Sequence, residues 1–153
     1  MERKKFKRIV VTIALIGVFF TFGTGIKKAQ AAYIDDCAFF SIVAGFYQGV
    51  GSQYVALSFY YDDPSYAYTG SLYFDEAWNY ADSAAYYAYY SSDYYAWDAY
   101  LNAADAAYYL DFAWYYAYWG WYYNDPYWAD LSIYFGGIAA TYLAYVQYYA
   151  AYL

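Results

Sequence analysis

The sequence predicts an all-α protein: an antiparallel four-helix bundle of alanine- and tyrosine-rich helices that follows a cleaved signal peptide. Three observations carry this prediction. Alanines recur at steps of three and four residues, which is the spacing of one helix face. Short polar segments divide the chain into four similar units, each one helix long. A basic head, an apolar middle and an Ala-x-Ala exit open the chain, as in secretory signals.

Residues 1–31 form the predicted signal peptide. A basic head ends at Arg8, an uncharged stretch of 18 residues runs from Ile9 to Ile26, and after Lys27-Lys28 comes Ala29-Gln30-Ala31-Ala32. We predict cleavage after Ala31, with cleavage after Ala32 as the second choice. The alternative is an uncleaved anchor helix, because a bilayer span needs about 17–25 apolar residues. The predicted location is therefore secreted or at the cell surface.

Residues 32–153 are predicted to form one acidic domain. Its four helices are expected at about 37–60, 64–90, 93–120 and 126–153. Asp63-Pro64 and Asp125-Pro126 mark the starts of two of them, because proline is tolerated at the first helical position and aspartate can cap the first-turn N–H groups. Ser91 or Ser92 is expected to cap the third helix in the same way.

Glycines modify the first and fourth helices. Gly45, Gly49 and Gly51 interrupt the first, which we therefore expect to be bent or split into two short helices. Gly136-Gly137 lies near the start of the fourth, where a kink is expected. The segments that begin at Pro64 and Pro126 resemble each other with one residue gained or lost, so we interpret the chain as a degenerate repeat of single helices.

Small residues define the predicted contact face of each helix. These faces comprise Ala77, Ala81, Ala84 and Ala88 in the second helix; Ala96, Ala99, Ala103, Ala106, Leu110, Ala113 and Ala117 in the third; and Ile133, Gly137, Ala140, Ala144 and Ala151 in the fourth, with Gln147 as an interruption. Such faces let helix axes approach closely, so that broad aromatic side chains beside them can interlock over the neighbouring helix. Many of the 30 tyrosines are expected to be buried, with hydroxyls at the rim. Tyrosine also favours strands, but alanine is the best helix former, so we prefer helices.

The charge distribution excludes several classes of function. All seven Lys and Arg residues lie in the first 28 positions, and the chain has no His. Residues 32–153 therefore have no cation to neutralise phosphates, which excludes nucleic acid as a partner. They also have no imidazole or amine for general-base, Schiff-base or triad chemistry, so we predict no enzyme.

The remaining polar groups predict no cofactor and no metal. Asp35-Asp36 and Asp62-Asp63 are interpreted as helix caps rather than as the facing carboxyls of a glycosidase or a calcium loop. Gly49-Val-Gly51 lacks the lysine of a phosphate-binding loop. Cys37, the single cysteine, cannot form an intramolecular disulfide; we expect it to be buried, the alternative being an intermolecular bridge.

The densest aromatic run is the candidate binding surface. It comprises Trp114, Trp119, Trp121, Tyr122, Tyr123 and Trp128. The predicted function is that of a secreted, non-enzymatic structural or interaction protein of the cell envelope or extracellular matrix, which self-associates through aromatic surfaces. Its partners would be itself or envelope components.

Two alternative functions remain open from the sequence. One is a glycan-binding module, in which the Trp/Tyr cluster stacks on sugar rings; the same cluster could instead seal the end of the bundle. The other is a membrane-associated helical protein, because the stretches 37–61 and 131–153 are uncharged and long enough to span a bilayer. Membrane contact is not favoured, since the tyrosines and Gln147 of the last stretch would need polar partners in hydrocarbon.

Overall fold

Four α-helices make up residues 32–91 and 94–151, the part of the chain that the structure, a computed structural model, describes. They are α1, Ala32–Tyr61; α2, Ser65–Tyr90; α3, Ala96–Tyr123; and α4, Pro126–Ala151. No strand is present among these residues. The predicted all-α four-helix bundle is confirmed. The predicted signal peptide, and the proposed cap at Ser92, lie outside the described residues. Ser91 ends α2, five residues before α3 begins, so its predicted capping of α3 is wrong.

Each helix packs chiefly against its neighbours in the sequence. The α1–α2, α2–α3 and α3–α4 pairs share long interfaces, α1 and α4 close the ring with a smaller one, and the diagonal pairs barely meet. Ring contacts show that α1 and α2 are antiparallel: Tyr33 lies against Tyr87 at one end, and Tyr61 lies against Tyr66 at the other. Short connections require this orientation.

Helix α1 runs without interruption through its glycines, so the bend predicted at Gly45, Gly49 and Gly51 is wrong. All three glycines are buried. A Cβ atom on Gly51 would lie 3.1 Å from the carbonyl oxygen of Gly70 in α2. The absent side chains thus allow two helices to approach closely. Helix α4 is likewise continuous through Gly136-Gly137.

Three predicted helix limits are corrected. Helix α1 already includes Ala32, five residues before the predicted start, whereas α3 begins at Ala96 and continues to Tyr123. Because α1 includes Asp35 and Asp36, these two residues lie within the helix and do not precede it, and their interpretation as caps is wrong.

The α1–α2 and α3–α4 turns have the same backbone structure. Asp62 and Asn124 adopt positive φ angles of 56° and 49°. The residues that follow, Asp63 and Asp125, donate their N–H groups to the carbonyl five positions earlier, at 3.1 and 3.2 Å. This is the Schellman arrangement, in which a left-handed residue ends a helix and its last carbonyls are satisfied.

The same two aspartates start the next helix. A carboxylate oxygen of Asp63 accepts a hydrogen bond from the N–H of Ser65, and one of Asp125 accepts from Tyr127, both at 2.9 Å. The predicted capping by the two Asp-Pro pairs is confirmed. Each pair therefore ends one helix and begins the next within two residues.

The core consists mainly of small side chains. Every predicted seam residue of α2 and α3 is buried, which confirms those two faces. The predicted face of α4 is wrong, since Ile133 alone of its members is buried. The face that α4 does bury comprises Ala129, Ser132, Ile133, Gly136, Ala139, Leu143, Val146, Gln147 and Ala150. Small residues lie on both faces of α4. The prediction took Gln147 as an interruption of the contact face, but Gln147 is buried, so the opposite face was predicted to be the contact face.

No tyrosine with a described side chain is buried, so the expectation that many would be buried is wrong. Seventeen of them are exposed, and the others are partly exposed. Alanine, glycine and serine fill most of the close helix contacts, and Phe74 is the one aromatic residue buried there among those described. The tyrosines instead lie along the grooves between helices, as the interlocking of aromatic side chains beside the seams predicted.

The repeat unit is a helical hairpin and not a single helix. Asp63 and Asp125 occupy equivalent turn positions and are 62 residues apart. At the same offset, the buried residues Ala67, Gly70, Ser71, Phe74, Ala77, Ala81, Ala84, Ala85 and Ala88 of α2 correspond to all nine buried residues of α4. No inserted residue is needed: Phe74 is equivalent to Gly136. The described chain is thus two copies of one hairpin whose second helices bury the same positions, whereas the first helices differ at some, since buried Gly49 corresponds to exposed Asp111.

Candidate functional site

A row of nine aromatic rings follows the groove between α1 and α2. Its members, here called the first ladder, are in order Tyr33, Tyr87, Phe40, Tyr80, Tyr47, Tyr73, Tyr54, Tyr66 and Tyr61. Within each helix these residues recur every seven positions. Seven residues are about two turns, so the rings project from one side of each helix. Rings from the two antiparallel helices therefore alternate along the groove.

The rings of the first ladder are closely stacked. Centroids of successive rings lie 5.2–6.4 Å apart, and the planes are inclined by 10–32°. The pair Tyr54–Tyr73, at 5.2 Å and 10°, is typical of the best-stacked members. Offset stacking at these distances is favourable beyond the area that it buries. The ladder thus stabilises the hairpin from outside its core.

A shorter row, the second ladder, follows the groove between α3 and α4. Its rings are Tyr95, Tyr149, Tyr142, Tyr109, Phe135, Tyr116 and Trp128. Asn102 lies at the position equivalent to Phe40, between Tyr149 and Tyr142, and donates a hydrogen bond to the carbonyl oxygen of Asp98 at 2.7 Å. The hairpin duplication therefore includes the ladder, with one rung replaced by an amide.

The six predicted surface residues meet near the α3–α4 turn, on two sides of α3. Trp119 packs edge-on against both Tyr123 and Trp128, at 5.3 Å in each case, next to the end of the second ladder. This group lies against α4. The four tryptophans of the predicted surface are only partly exposed.

The other group lies towards α2. Trp121 contacts Tyr68 of α2 at 4.8 Å, and Tyr118 connects it to Trp114 and Tyr122. Tyr122 and Tyr123, exposed by 64% and 55%, join the two groups through an edge-to-face contact at 5.0 Å. The rings therefore cover one another to a large extent, and the predicted cluster is a junction and not one flat face.

The ladders are the feature that sequence reasoning missed. The signal was present, because aromatic residues occupy positions 33, 40, 47, 54 and 61 in α1 and 66, 73, 80 and 87 in α2. These aromatic positions form a second heptad pattern, which lies beside the small-residue seam.

Two carboxylates have shifted pKa values. Hydrogen bonding by the Ser65 side chain and backbone lowers the pKa of Asp63, as expected for a capping group. Burial raises the pKa of Asp130 to about 6, and one oxygen of this carboxylate has no hydrogen-bond partner. The ionised form of Asp130 is therefore disfavoured in the folded protein. Nowhere in residues 32–91 and 94–151 do three His, Cys, Asp or Glu side chains converge as they would on a metal ion.

Cys37 is fully buried, as predicted, and packs in a cluster with alanines of α2 and α3. Burial raises the pKa of its thiol to about 12. Because the thiolate is the reactive form, this cysteine is unreactive at neutral pH.

The hydropathy of the four helices is lower than a bilayer span requires: none of them, over the residues described, has an apolar stretch long enough to cross a membrane. The chain matches no family model, and no curated protein or solved structure is detectably similar to it.

Proposed function

We propose that this protein is a secreted or surface-located, non-enzymatic structural component of the cell envelope or extracellular matrix, which associates with copies of itself through aromatic side chains. The observation that carries this proposal is the exposure of seventeen tyrosines over a bundle whose described residues include no Lys, Arg or His. Tyrosine offers a large apolar face together with a polar hydroxyl, which suits it to interfaces. A tyrosine side chain has only two rotatable χ angles, so little side-chain freedom is lost when its ring is immobilised in a contact.

The charge of the bundle would control this association. From Ala32 onward the side chains include 13 acids and no base. At neutral pH their repulsion keeps the molecules apart, and salt screens that repulsion. Protonation in acid removes the charge, and no positive charge replaces it except the chain terminus. The exposed rings are then free to meet those of another molecule.

Static light scattering of the purified secreted form between pH 7 and pH 3 tests the proposal. We expect reversible association as the pH falls through the ordinary carboxyl range of about 4. Replacing the exposed acids Asp75, Asp82 and Asp105 by asparagine should move the onset to higher pH. Replacing the exposed tyrosines Tyr86, Tyr108 and Tyr134 by serine should reduce association at every pH. A protein that stays monomeric at pH 3 and millimolar concentration would contradict the proposed function.

A further inference from the structure

Six consecutive rings of the first ladder are tyrosines. They are, in order along the groove, Tyr80, Tyr47, Tyr73, Tyr54, Tyr66 and Tyr61. Their successive centroid distances are 5.4, 6.1, 5.2, 6.4 and 5.5 Å. Among the aromatic side chains, tyrosine and tryptophan lose an electron readily, whereas phenylalanine resists oxidation. A continuous row of stacked phenols therefore differs chemically from an ordinary aromatic cluster.

Such a row can pass an oxidising equivalent from ring to ring. A tyrosine that loses one electron and its hydroxyl proton becomes a neutral radical. A stacked tyrosine can return an electron to it, while one proton is taken up from water at the first ring and another is released at the second. The two rings are chemically alike, so the step is nearly neutral in energy. All six tyrosines are at least partly exposed, which leaves water available for these proton transfers.

The row ends in solvent. Tyr61 is exposed by 58% and packs edge-on against Tyr60, which is exposed by 65%, with centroids 4.9 Å apart. At the other end, Tyr80 stacks on Phe40, where the chain of oxidisable rings stops. A radical formed anywhere in the row can therefore reach an accessible phenol at the α1–α2 turn.

We propose that the tyrosines of the first ladder form a relay that carries oxidising equivalents to Tyr60 and Tyr61, where they couple covalently with a tyrosine of another molecule. The oxidant would be hydrogen peroxide acting through a peroxidase outside this protein. In the coupling, two tyrosyl radicals join through a new bond between ring carbons next to the hydroxyls. Each ring then loses the hydrogen at that carbon and regains its hydroxyl proton. Overall, two tyrosines lose two electrons and two protons, and the peroxide is reduced to two waters.

The second ladder provides an internal comparison. Phe135 separates Tyr109 from Tyr116, and Asn102 interrupts the ring contacts at the far end. In the second ladder, the stacked tyrosines form two separate pairs, Tyr109–Tyr142 at 5.5 Å and Tyr95–Tyr149 at 6.1 Å. The second helices of the two hairpins bury the same positions, so the two rows of rings are compared on similar backbones.

Site-specific photo-oxidation of the full chain tests the relay. Ser83→Cys places a thiol on α2 one turn from Tyr80. A ruthenium polypyridyl complex attached there would withdraw an electron on illumination, with a cobalt(III) ammine in solution as the terminal acceptor of the two electrons that each adduct releases. Cys37 is buried and would not be labelled. N-acetyltyrosine amide in solution serves as the coupling probe, and peptide mass spectrometry locates its adducts. We expect adducts at Tyr60 and Tyr61.

Tyr73 is the decisive position, because its ring stacks on both Tyr47 and Tyr54. Tyr73→Phe keeps the stacked ring and removes the oxidisable phenol, so adducts at Tyr60 and Tyr61 should be lost while helical circular dichroism is unchanged. Tyr100→Phe, in a partly exposed ring of α3 outside both ladders, should leave them intact. Unchanged adducts at Tyr61 in the Tyr73→Phe variant would overturn the relay.

Coupling between molecules rests on the proposed self-association, whereas the adduct assay with the small phenol does not. Covalent dimers linked through Tyr60 or Tyr61 at acidic pH are expected when the probe is omitted. If adducts form at these residues but no dimers do, the intermolecular coupling is overturned while the relay stands. Light scattering reports the failure of self-association separately.

Discussion

Gly70 shows how tightly the small residues of this bundle pack. A Cβ atom there would lie 2.5 Å from a methyl group of Val55 and 2.9 Å from the carbonyl oxygen of Gly51, so neither neighbour could remain in place. We expect Gly70→Ala to lower the free energy of unfolding by about 1–3 kcal/mol. In α4, a Cβ atom on Gly137 would meet nothing within 4 Å. Gly137→Ala should therefore raise stability by up to about 1 kcal/mol, because alanine favours the helix.

Thermal unfolding followed by circular dichroism measures both glycine variants. Shifts of the same sign would contradict the packing described for α1 and α2, since the two changes are chemically identical and differ only in their surroundings.

Asp125 caps α4 through a hydrogen bond from the N–H of Tyr127. Asp125→Ala removes this acceptor and should destabilise the bundle by about 1 kcal/mol in urea denaturation. Asp125→Asn keeps a capping oxygen and should cost only a small part of that amount. Equal losses in the two variants would show that the carboxylate acts through its charge and not through the cap.

Asp130 should make stability depend on pH. Its pKa is raised from 3.8 to about 6, so the folded state resists ionisation. Below about pH 4 the group is protonated in both states and the folded protein carries no penalty; stability then falls as the pH rises from about 4 to about 6 and stays lower above that range. Asp130→Asn should raise stability at pH 7 by about 1 kcal/mol, a value reduced for partial solvent exposure.

The difference between the parent and Asp130→Asn should disappear below about pH 4, as measured by urea denaturation at several pH values. Asp82→Asn, on the exposed side of α2, serves as the matched control. A constant difference between the parent and Asp130→Asn at all pH values would contradict burial as the cause of the shifted pKa.

At the scale of the element, the duplicated ladders allow a reciprocal exchange. Phe40 stacks on Tyr87 and Tyr80, whereas the equivalent Asn102 leaves a gap in the second ladder. Phe40→Asn should cost about 1 kcal/mol or more, because its two ladder contacts and its edge contact with Phe39 are lost. Asn102→Phe should add a similar amount by restoring two contacts. Thermal melts of both variants check this, and destabilisation by Asn102→Phe would show that the two grooves differ in width.

The sequence was sufficient to predict helices where one signal dominated. The alanine spacing in α2 and α3 leaves a single small-residue face, and the Asp-Pro pairs place the caps. In α4, Gly136 and Gly137 offer two faces one residue apart, and only the fit against Phe74 and Ser52 makes Gly136 the buried one. In α1, the glycines predicted a bend or a break. Their actual role is to allow a close approach to α2, which depends on that neighbouring helix.

For the whole molecule, the order of helices and the bundle followed from their number and the short connections between them. The hairpin repeat was harder to predict from the sequence, because its two copies share buried positions more than residue types. Phe74 is replaced by Gly136, and Ala81 by Leu143. The candidate surface was found as a run of aromatic residues, but the division around α3 depends on contacts with Tyr68 and Trp128 from other helices.

The small-residue core also reverses the usual pattern of mutational tolerance. In most proteins, interior substitutions destabilise the fold by leaving cavities. A buried alanine such as Ala103 or Ala113 has only one methyl group to remove, so its truncation leaves almost no cavity. Nearly every change at these sites enlarges the side chain, and helices already in close contact cannot separate locally. A library of single substitutions should therefore lose stability mainly where a buried alanine such as Ala103 is enlarged, and much less where an exposed tyrosine such as Tyr108 is replaced.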